Sequence, residues 1–521
     1  MVAYMTVVIG IGVVYAKRAN KNSEEYFLGG RSLGPWVTAM SAEASDMSGW
    51  LLMGLPGVAY WCGLADAFWT ALGLAVGTYL NWLIVSKRLR RYSIRTNAIT
   101  LPEFFSKRFR EKSPVIMVLA ALFILIFFTA YAASCFVTCG KLFSTLFGAS
   151  FNSMVIVGAV FVLLYTILGG FLAESASDFM QAIVMVVALC VIVTIGTVKA
   201  GGFGEIIDNA RSIPGFMEFF GQAAPALGAD GAQLVEAGKP VFGASVEYPV
   251  LTAVSMLAWG LGYFGMPQVL LRFMAIRKEK ELKLSRRVAM VWVIISLSVA
   301  VFIGIMGRYL FPVEHLTKAS AENIFITMSE SFLPPLLAGL IMAGILAATI
   351  SSSDSYLLIA ASACAKNIFH GVAKKDASEK QVMVMTRVTL VILTVVGVLL
   401  SLDWKAINPN INFSNNVIFE IVGFAWAGFG ATFGPLMLLS LFWKRTTRWG
   451  AIVGMVAGAA MVFLWKLWLN PTFGGVFQIY ELLPAFLFSA LCIVVVSLIT
   501  KAPGKEIEED FEAARMQTAE G

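Results

Sequence analysis

The stretch with the most chemical potential is Ser41–Gly57, which reads SAEASDMSGWLLMGLPG. It lies inside residues 33–61, long and apolar enough to cross a bilayer, yet it carries the polar residues Ser41, Glu43, Ser45, Asp46 and Ser48. A carboxylate near the bilayer centre costs about 2.5–3.5 kcal/mol. The glycines and proline that follow weaken the helix further. The stretch therefore predicts a broken transmembrane helix whose freed carbonyls and hydroxyls coordinate a cation.

A second group of oxygen ligands occurs in a later apolar segment. Its members share one face of a helix, at i, i+3, i+4 and i+7: Ala348, Ser351, Ser352 and Ser355. A single serine in a helix usually bonds the carbonyl four residues back and is then structurally silent. Several hydroxyls opposite the Asp46 region instead favour a site for a monovalent cation such as sodium.

Four aromatic residues lie within apolar segments rather than at their ends, where interfacial anchors belong: Trp50, Tyr131, Trp259 and Tyr263. They indicate the lining of a pocket for a small solute. Residues 260–265 (GLGYFG) match the GxGxxG pattern, but no strand precedes them, which argues against a dinucleotide site. Two interpretations of these glycines stay open, close helix packing and local unwinding beside a cavity.

The elements that must position these residues are membrane helices. The 521 residues are 58% hydrophobic and only 14% charged, which is typical of an integral membrane protein. Thirteen apolar segments can be marked, at 1–16, 33–61, 64–86, 114–144, 152–172, 176–200, 248–271, 288–310, 333–365, 384–402, 413–443, 449–468 and 480–500. The predicted fold class is an all-α polytopic membrane protein of about thirteen helices.

The basic residues predict the orientation. Alternate loops hold 31 of the 39 lysines and arginines, and the positive-inside rule places these loops in the cytoplasm. The N-terminus is then outside and the C-terminus inside, and the net charge of +7 reflects topology rather than nucleic-acid binding. Residues 201–248 are predicted to form an outer surface loop with one short helix near 203–210, and residues 501–521 a solvated cytoplasmic tail.

The interrupted segments are spaced as in an inverted repeat. The breaks in the second and seventh segments are five helices apart, which is typical of two five-helix repeats of opposite topology. We therefore predict one membrane domain over residues 1–500, with repeat one at about 33–200 and repeat two at about 248–443. Segments 1–16, 449–468 and 480–500 are additions to this core.

Other classes of site are disfavoured. The six cysteines lie mostly in apolar segments and are interpreted as small buried side chains rather than metal ligands. His315 and His370 fall in loops, and no nucleophile–histidine–acid set or nucleotide motif is present. Asp178 is predicted in the first turn of the sixth segment, where it would complement the helix dipole. The chain is predicted not to be an enzyme. Its predicted surroundings are the lipid bilayer, and neither a nucleic acid nor an obligatory protein partner is predicted.

Six longer motifs resemble the sodium/solute symporter family, and within it the bacterial members that transport proline. They are YFLGGRSLGPWVTAMSAEASDMSGWLLMGLPG, ITLPEFFSKRF, ILGGFLAESASDFMQA, WGLGYFGMPQVLLRFMA, GILAATISSSDSYLL and AWAGFGATFGP. The resemblance runs from about Glu25 to Pro503. It implies a leucine-transporter-like core of two inverted five-helix repeats, formed by the second to eleventh helices, in the bacterial cytoplasmic membrane.

The resemblance also implies a sodium site. Its ligands would be main-chain oxygens and two hydroxyls, from Ala44, Met47, Ala348, Ser351 and Ser352. Support of the ion and coupling to transport would come from Asp46, Ser48 and Arg31. Some members hold a second sodium at positions matching Asp178, Asp354 and Ser355, so the choice between one and two ions stays open.

The implied pocket for L-proline contains Trp50, Tyr131, Trp259, Tyr263 and Pro267. Three positions depart from some family members: Glu43 replaces a glycine, Asp354 adds a carboxylate, and Met266 replaces a glutamine. The role of Glu43 stays open between a silent, paired carboxylate and one that tunes the cation site.

The function that the resemblance implies is uptake of L-proline by alternating access, with Na⁺ as the coupling ion. Within transport, the alternative solutes are pantothenate, a sugar, a carboxylate or an osmolyte. A membrane sensor is a weaker alternative, because the segment after Lys501 is too short for a signalling domain. A channel would pass current without a saturable solute requirement.

Overall fold

The computed structural model describes residues 2–19, 23–407 and 417–516, most of which are helical. In the first half of the chain the helices are Val2–Ala19 (α1), Ser23–Leu28 (α2), Pro35–Gly49 (α3), Leu55–Cys62 (α4), Leu64–Leu80 (α5), Ser86–Arg95 (α6), Leu101–Arg108 (α7), Val115–Phe147 (α8), Phe151–Lys199 (α9) and Phe203–Ser212 (α10). Pro35 occupies the first turn of α3, where its missing N–H costs nothing.

The second half continues with Val250–Leu257 (α11), Pro267–Ala275 (α12), Leu282–Leu310 (α13), Lys318–Ala321 (α14), Ile324–Phe332 (α15), Pro335–Ser362 (α16), Glu379–Ser401 (α17), Trp404–Ile407 (α18), Ile418–Phe442 (α19), Arg448–Leu464 (α20), Asn470–Phe473 (α21), Leu482–Ile499 (α22) and Lys505–Arg515 (α23). Short 3-10 helices lie at Gly29–Arg31, Ala258–Phe264, Glu279–Glu281 and Gly475–Gln478. π-Helical segments lie at Trp50–Gly54, Asn81–Val85, Ala363–Ala373 and Trp465–Leu469.

The helices account for the apolar segments of the sequence. Among the described residues, nine helices are long and apolar enough to cross a membrane, and the bent pair around residues 250–275 makes a tenth. The other predicted spans fall on shorter or interrupted helices, which are α1, α3 with α4, and the first part of α9. The number thirteen stays a prediction. Residue 1 of the first predicted segment, 413–416 of the eleventh and 517–521 of the tail lie outside the described residues.

The boundary predicted between the fifth and sixth segments is wrong. No connecting loop is found at residues 173–175, because the helical backbone breaks instead at Gly170, whose φ of 60° suits glycine. Asp178 lies eight residues beyond this break and its side chain is buried, so it does not occupy a first helical turn. The polar residues 174–178 therefore belong to a buried helix face rather than to an interface.

The second and seventh spans are interrupted, as the sequence predicts. In α3, Ser48 takes φ 47° and ψ −168°, and a π-helical turn at Trp50–Gly54 leads into α4. In the seventh span, the 3-10 segment Ala258–Phe264 precedes α12, which begins at Pro267, and the two parts are bent by 41°. Because α3 packs against both α12 and α16, the two breaks meet in the centre of the bundle.

The long connection between the sixth and seventh spans contains the predicted short helix, α10, and four strands that the sequence does not predict. Gly221–Gln222 (β1) pairs antiparallel with Val246–Glu247 (β4), and Val235–Glu236 (β2) pairs antiparallel with Lys239–Pro240 (β3). Gln233 attaches this loop to the bundle by accepting a hydrogen bond from Arg308 of α13. The strands are two residues long, which is too short for an alternating pattern to reveal them.

The predicted solvated tail is wrong for residues 505–515, which form α23 against α6. Phe511 is buried in this contact, and Asp510 accepts hydrogen bonds from Arg95 at 2.8 Å and Arg110 at 3.0 Å. The acidic face of α23 thus meets the basic loops on the same side of the bundle. This complementarity between distant segments explains why a charged, polar stretch is ordered.

The glycines of residues 260–265 serve close packing, the first of the two interpretations that the sequence leaves open. Gly260 lies within the 3-10 segment, so the α-helix is interrupted there but the chain is wound more tightly rather than unwound. The same residue packs against α5, where a Cβ added at Gly77 would lie 2.3 Å from the carbonyl oxygen of Gly260. The break in the seventh span is therefore held by direct contact between two backbones.

We expect Gly77→Ala to lower the free energy of unfolding by about 1–3 kcal/mol, because the added methyl forces the facing backbone to move. Gly339→Ala is the matched control, since an added Cβ at Gly339 meets nothing within 4 Å. Thermal unfolding of the purified protein in detergent tests the pair. Equal melting temperatures for the two variants would contradict the backbone contact.

Candidate functional site

The break in α3 at Ser48 organises the site. The Ser48 hydroxyl accepts the backbone N–H of Trp50 at 3.2 Å, and the same N–H also bonds the carbonyls of Met47 and Ser48. Residues 38–49 of α3 are all buried, so these groups have no access to bulk water. Backbone groups freed inside a membrane protein must find partners in the protein or at a polar cavity. The residues on either side of Ser48 are thus available for binding.

One cluster of oxygens lies between α3 and α16. The hydroxyl of Ser351 donates to the carbonyl of Ala44 at 2.9 Å and to that of Ala348 at 3.1 Å. The hydroxyl of Ser352 also lies 3.3 Å from the Ala44 carbonyl. All of these residues are buried. Four of the five predicted sodium ligands therefore lie together. Their oxygens are neutral carbonyls and hydroxyls, which are ligands that hard cations bind.

The fifth predicted ligand, Met47, lies one turn further along α3. Its carbonyl accepts the N–H of Trp50, at the point where the helix tightens. Glu43 is directed elsewhere: its Oε1 accepts the indole N–H of Trp82 at 3.1 Å. The described hydrogen bond of Glu43 therefore leads to the third span and not to the hydroxyls of α16.

Asp46 connects three spans at the break. Its Oδ2 accepts the phenolic hydroxyl of Tyr263 at 2.7 Å, and its Oδ1 lies 3.4 Å from the amide nitrogen of Gln268. Its main-chain carbonyl accepts the hydroxyl of Tyr131 at 3.3 Å. The carboxylate therefore stabilises the interrupted seventh span, while the Ala44 carbonyl on the same helix faces α16.

Two of the five predicted substrate residues, Trp50 and Trp259, belong to an aromatic box beside Asp46, and a third, Tyr263, contacts Trp426 of this box at 5.0 Å. The rings of Trp50 and Trp259 lie 5.6 Å apart, and both contact Phe419, at 5.8 and 5.3 Å. Trp426 and Tyr480 complete the box against Trp259, at 6.1 and 4.9 Å. In the described part of the chain, the indole N–H groups of Trp50 and Trp259 are buried without a hydrogen-bond partner. Such donors are expected to bind an acceptor on a solute, because an unpaired buried donor is costly.

The other two predicted pocket residues support the box from its edges. Tyr131 stacks on Tyr356 of α16 with ring centroids 4.2 Å apart, and its hydroxyl reaches Asp46. Pro267 is buried in the first turn of α12. Met266, the departure from the family pattern, caps the same helix and is fully buried.

Arg31 lies before the start of α3, at the end of the 3-10 segment Gly29–Arg31. Its guanidinium donates to the carbonyls of Ala98 at 2.6 Å and Met274 at 2.8 Å, and to the hydroxyl of Ser93 at 3.1 Å. Beside it, the N–H of Leu33 donates to the carbonyl of Ala275 at 3.2 Å. These contacts join the start of the second span to the end of the seventh on the basic face.

A charged cluster that the sequence does not predict lies between α3, α9, α12 and α16. The guanidinium of Arg272 is fully buried and pairs with Glu174, and it lies 3.2 Å from Asp178. It also donates to Ser41 at 3.0 Å and Ser355 at 2.9 Å. Arg272 therefore contacts two of the three residues proposed for a second sodium, and supplies a positive charge there itself.

The third of these residues, Asp354, faces a small cavity of about 10 Å³ lined by Tyr165, Thr166, Gly170, Glu174, Asp354 and Leu358. Its Oδ1 accepts the N–H of Ser355 at 2.8 Å, and its Oδ2 has no partner among the described residues. The volume is close to that of one water. The structure thus gathers Asp178, Asp354 and Ser355 around Arg272, and the number of sodium ions stays a prediction.

A second unpredicted ion pair lies at the opposite end of the bundle. Lys141 of α8 lies 2.5 Å from Glu322, which follows α14, and both side chains are buried. Glu322 also accepts the N–H groups of Ile418 and Phe419 at 3.0 Å, at the first turn of α19. Because Phe419 belongs to the aromatic box, this pair fixes one wall of the box.

The sequence contains a signal for these missed residues, since each is a charge next to or inside an apolar segment. Arg272 is counted with a basic loop by the topology argument, and Glu174 is placed in a connection between segments. In the structure both belong to helices that continue past the predicted ends. Charges inside membrane helices are rare and functional as a rule. They should therefore be examined as partners before they are assigned to loops.

Solved structures share this fold. An outward-open, substrate-bound Na⁺-coupled sialic acid symporter has a TM-score of 0.72 and 18% identity over 96% of this chain and 98% of that chain. MhsT in complex with L-phenylalanine has a TM-score of 0.53 and 15% identity over 89% of this chain and 97% of that chain. The predicted fold class is confirmed: the protein is a predominantly helical, polytopic membrane protein with the leucine-transporter fold.

The sequence relatives are more specific. The model of the sodium:solute symporter family matches residues 26–458. Sodium/proline symporters from Staphylococcus aureus strains RF122/ET3-1 and USA300/TCH1516 are each 37% identical over 518 residues, which is 98% of this chain and 94% of theirs. The chain belongs to the sodium:solute symporter family, and it is a transporter rather than an enzyme.

We expect Arg272→Gln to lower the free energy of unfolding by about 3–5 kcal/mol, because Glu174 and Asp178 lose their buried counter-charge. Adding Glu174→Gln should recover part of this loss. Arg277→Gln is the matched control, since Arg277 is exposed and its ion pair with Glu281 lies on the surface; we expect a change below about 0.5 kcal/mol. Thermal unfolding in detergent measures all three. An Arg272→Gln variant as stable as the control would contradict the view that Arg272 compensates the buried charges of Glu174 and Asp178.

Proposed function

We propose that the protein takes up L-proline together with sodium across the bacterial cytoplasmic membrane, with its N-terminus outside and its C-terminus in the cytoplasm. The observation that carries the sodium part is the convergence of Ser351 and Ser352 on the carbonyl of Ala44, four residues before the break in α3. The substrate is supported by the relatives, which are named sodium/proline symporters. The basic residues on one face support the orientation.

Sodium binding would change the bonding of the oxygen cluster in a defined way. Each hydroxyl that now donates to the Ala44 carbonyl would turn a lone pair towards the ion instead, so that α3 and α16 both coordinate it. This bridge holds the interrupted helix in one arrangement. Each sodium ion that enters gains about 2.3 kcal/mol per 100 mV of membrane potential, which can drive accumulation of a neutral solute.

The aromatic box suits a compact, zwitterionic solute with one apolar ring. Trp50, Trp259 and Phe419 offer ring faces, and the two unpartnered indole N–H groups offer donors for a carboxylate. A polyol would need many more donors and acceptors than this wall presents. Proline fits these requirements better than a sugar does, and pantothenate, another carboxylate or an osmolyte are the alternatives that competition must exclude.

Two sets of contacts close the site, one at each end. In alternating access, each set must open while the other stays closed. On the basic face, Arg31 and the Leu33–Ala275 hydrogen bond join the second and seventh spans. On the other face, Glu322 joins Lys141 to the first turn of α19. Both sets of contacts are formed in this structure. Inward opening separates the first set of contacts and outward opening the second.

The experiment that tests the proposal is uptake of labelled proline into proteoliposomes with an imposed inward sodium gradient. Uptake should require the gradient and should be abolished by excess unlabelled proline. Pantothenate, a sugar or an osmolyte should not compete at the same excess. Uptake that ignores the gradient, or stronger competition by one of these other solutes, contradicts the proposal.

In the same assay, we expect Ser351→Ala to raise the sodium concentration for half-maximal uptake by about tenfold or more, since one ligand to a charged group is lost. Asp46→Asn should act in the same direction through the hydrogen bonds that hold the break. The matched control is Ser353→Ala on the same helix, because the hydroxyl of Ser353 bonds carbonyls of its own helix, that of Thr349 at 2.6 Å and that of Ile350 at 3.4 Å. An unchanged sodium requirement in Ser351→Ala would remove Ser351 from the cation site.

A further inference from the structure

A groove on the basic face has no role in the transport site described above. Its volume is about 450 Å³, and its walls are Leu83, Ile84, Lys87, Arg88, Arg91 and Arg515, which we call the basic groove. Four of these six residues are cations and none is an acid. The first five come from the end of the third span and from α6, and the last comes from α23 at the far end of the chain.

The surrounding acids neutralise only part of this charge. Arg91 forms two hydrogen bonds with Glu279, at 2.7 and 2.6 Å, and Arg515 lies 3.6 Å from Glu512. Arg88 donates to the carbonyl of Leu441 at 2.8 Å. In the described part of the chain, neither Lys87 nor Arg88 pairs with a carboxylate. The basic groove therefore keeps about two uncompensated positive charges.

The apolar walls of the basic groove set its depth relative to the membrane. Leu83 and Ile84 are 40% and 37% exposed, at the end of a helix that is apolar enough to cross the bilayer. Phe442, under the guanidinium of Arg88, is 40% exposed at the end of α19. One turn further along the chain from Leu83 the exposed residues become cationic, beginning at Lys87. The basic groove thus spans the boundary between acyl chains and headgroups.

We propose that the basic groove binds an anionic phospholipid of the leaflet on the basic face of the protein. The phosphate lies between Lys87, Arg88 and Arg515, and an acyl chain lies along Leu83 and Ile84. Basic pockets between membrane helices are known to bind the anionic headgroups of lipids. A soluble phosphate would use the cations alone, whereas the adjoining exposed apolar residues fit a ligand that carries an acyl chain.

The bound lipid would also fasten α23 to the transporter. Arg515 belongs to α23, which is otherwise tied to the basic face through Phe511 and through the ion pairs of Asp510 with Arg95 and Arg110. Those ion pairs involve partly exposed side chains, so each contributes little by itself. A headgroup shared between α6 and α23 adds a contact that needs both helices.

The test is binding of phosphatidylglycerol to the purified, delipidated full-length protein, measured by native mass spectrometry. The native protein should retain phosphatidylglycerol and release phosphatidylcholine. The double variant Lys87→Gln with Arg515→Gln should weaken retention by about 25-fold, from about fivefold for each cation near a membrane surface. A matched double variant, Lys374→Gln with Lys375→Gln, removes two exposed lysines of the basic face outside the groove and should bind like the native protein.

Glycerol phosphate distinguishes the lipid from a soluble anion. It should fail to displace phosphatidylglycerol even in large excess, because it lacks the acyl chains that contact Leu83 and Ile84. Displacement by glycerol phosphate, equal retention of phosphatidylcholine, or unchanged phosphatidylglycerol binding in the Lys87 and Arg515 variant would each overturn the proposal. Circular dichroism of the variants confirms that they are folded, so that lost binding reports on the site.

Discussion

The structure depends on one constraint: a membrane helix that breaks must find partners for its freed groups inside the protein. The break at Ser48 meets this constraint within a few residues. Asp46 connects α3 to Tyr263, Gln268 and Tyr131, so the second, fourth and seventh spans are fixed at the same point. On one side of these hydrogen bonds lies the oxygen cluster between α3 and α16. On the other side lies the aromatic box. A change in one can therefore reach the other through Asp46 and the short segment around it.

Buried charge is the second feature that shapes the bundle. Arg272 with Glu174 and Asp178, and Lys141 with Glu322, place ionised groups where hydrophobic packing would cost less. Such pairs contribute little net stability, but each joins segments that belong to different parts of the proposed repeats. The Lys141–Glu322 pair also holds the first turn of α19, which carries Phe419 into the aromatic box. The polar clusters thus define which arrangement of helices is stable, and alternating access must exchange one such arrangement for another.

Much of this arrangement could be predicted from the sequence, and the exceptions have a common cause. Hydropathy locates nearly every span, and glycine, proline and polar residues in one stretch locate the breaks at Ser48 and around Gly260. The grouping of Ser351 and Ser352 with Ala44 follows from helix periodicity together with family motifs. Arg272, Glu174 and Lys141 were not predictable in the same way, because a window of sequence cannot show which distant charge compensates them. The same holds for α23, which packs on the bundle through Phe511 and through ion pairs with basic residues about four hundred positions away.

The central claim is that sodium at the α3–α16 oxygens prepares the aromatic box for its solute. The most direct measurement is tryptophan fluorescence of the purified protein, titrated with proline in sodium and in potassium, because Trp50, Trp259 and Trp426 lie in the box. The account predicts that sodium lowers the dissociation constant of proline by about tenfold, and that proline lowers that of sodium by the same factor. Equal proline affinity in the two salts would contradict it.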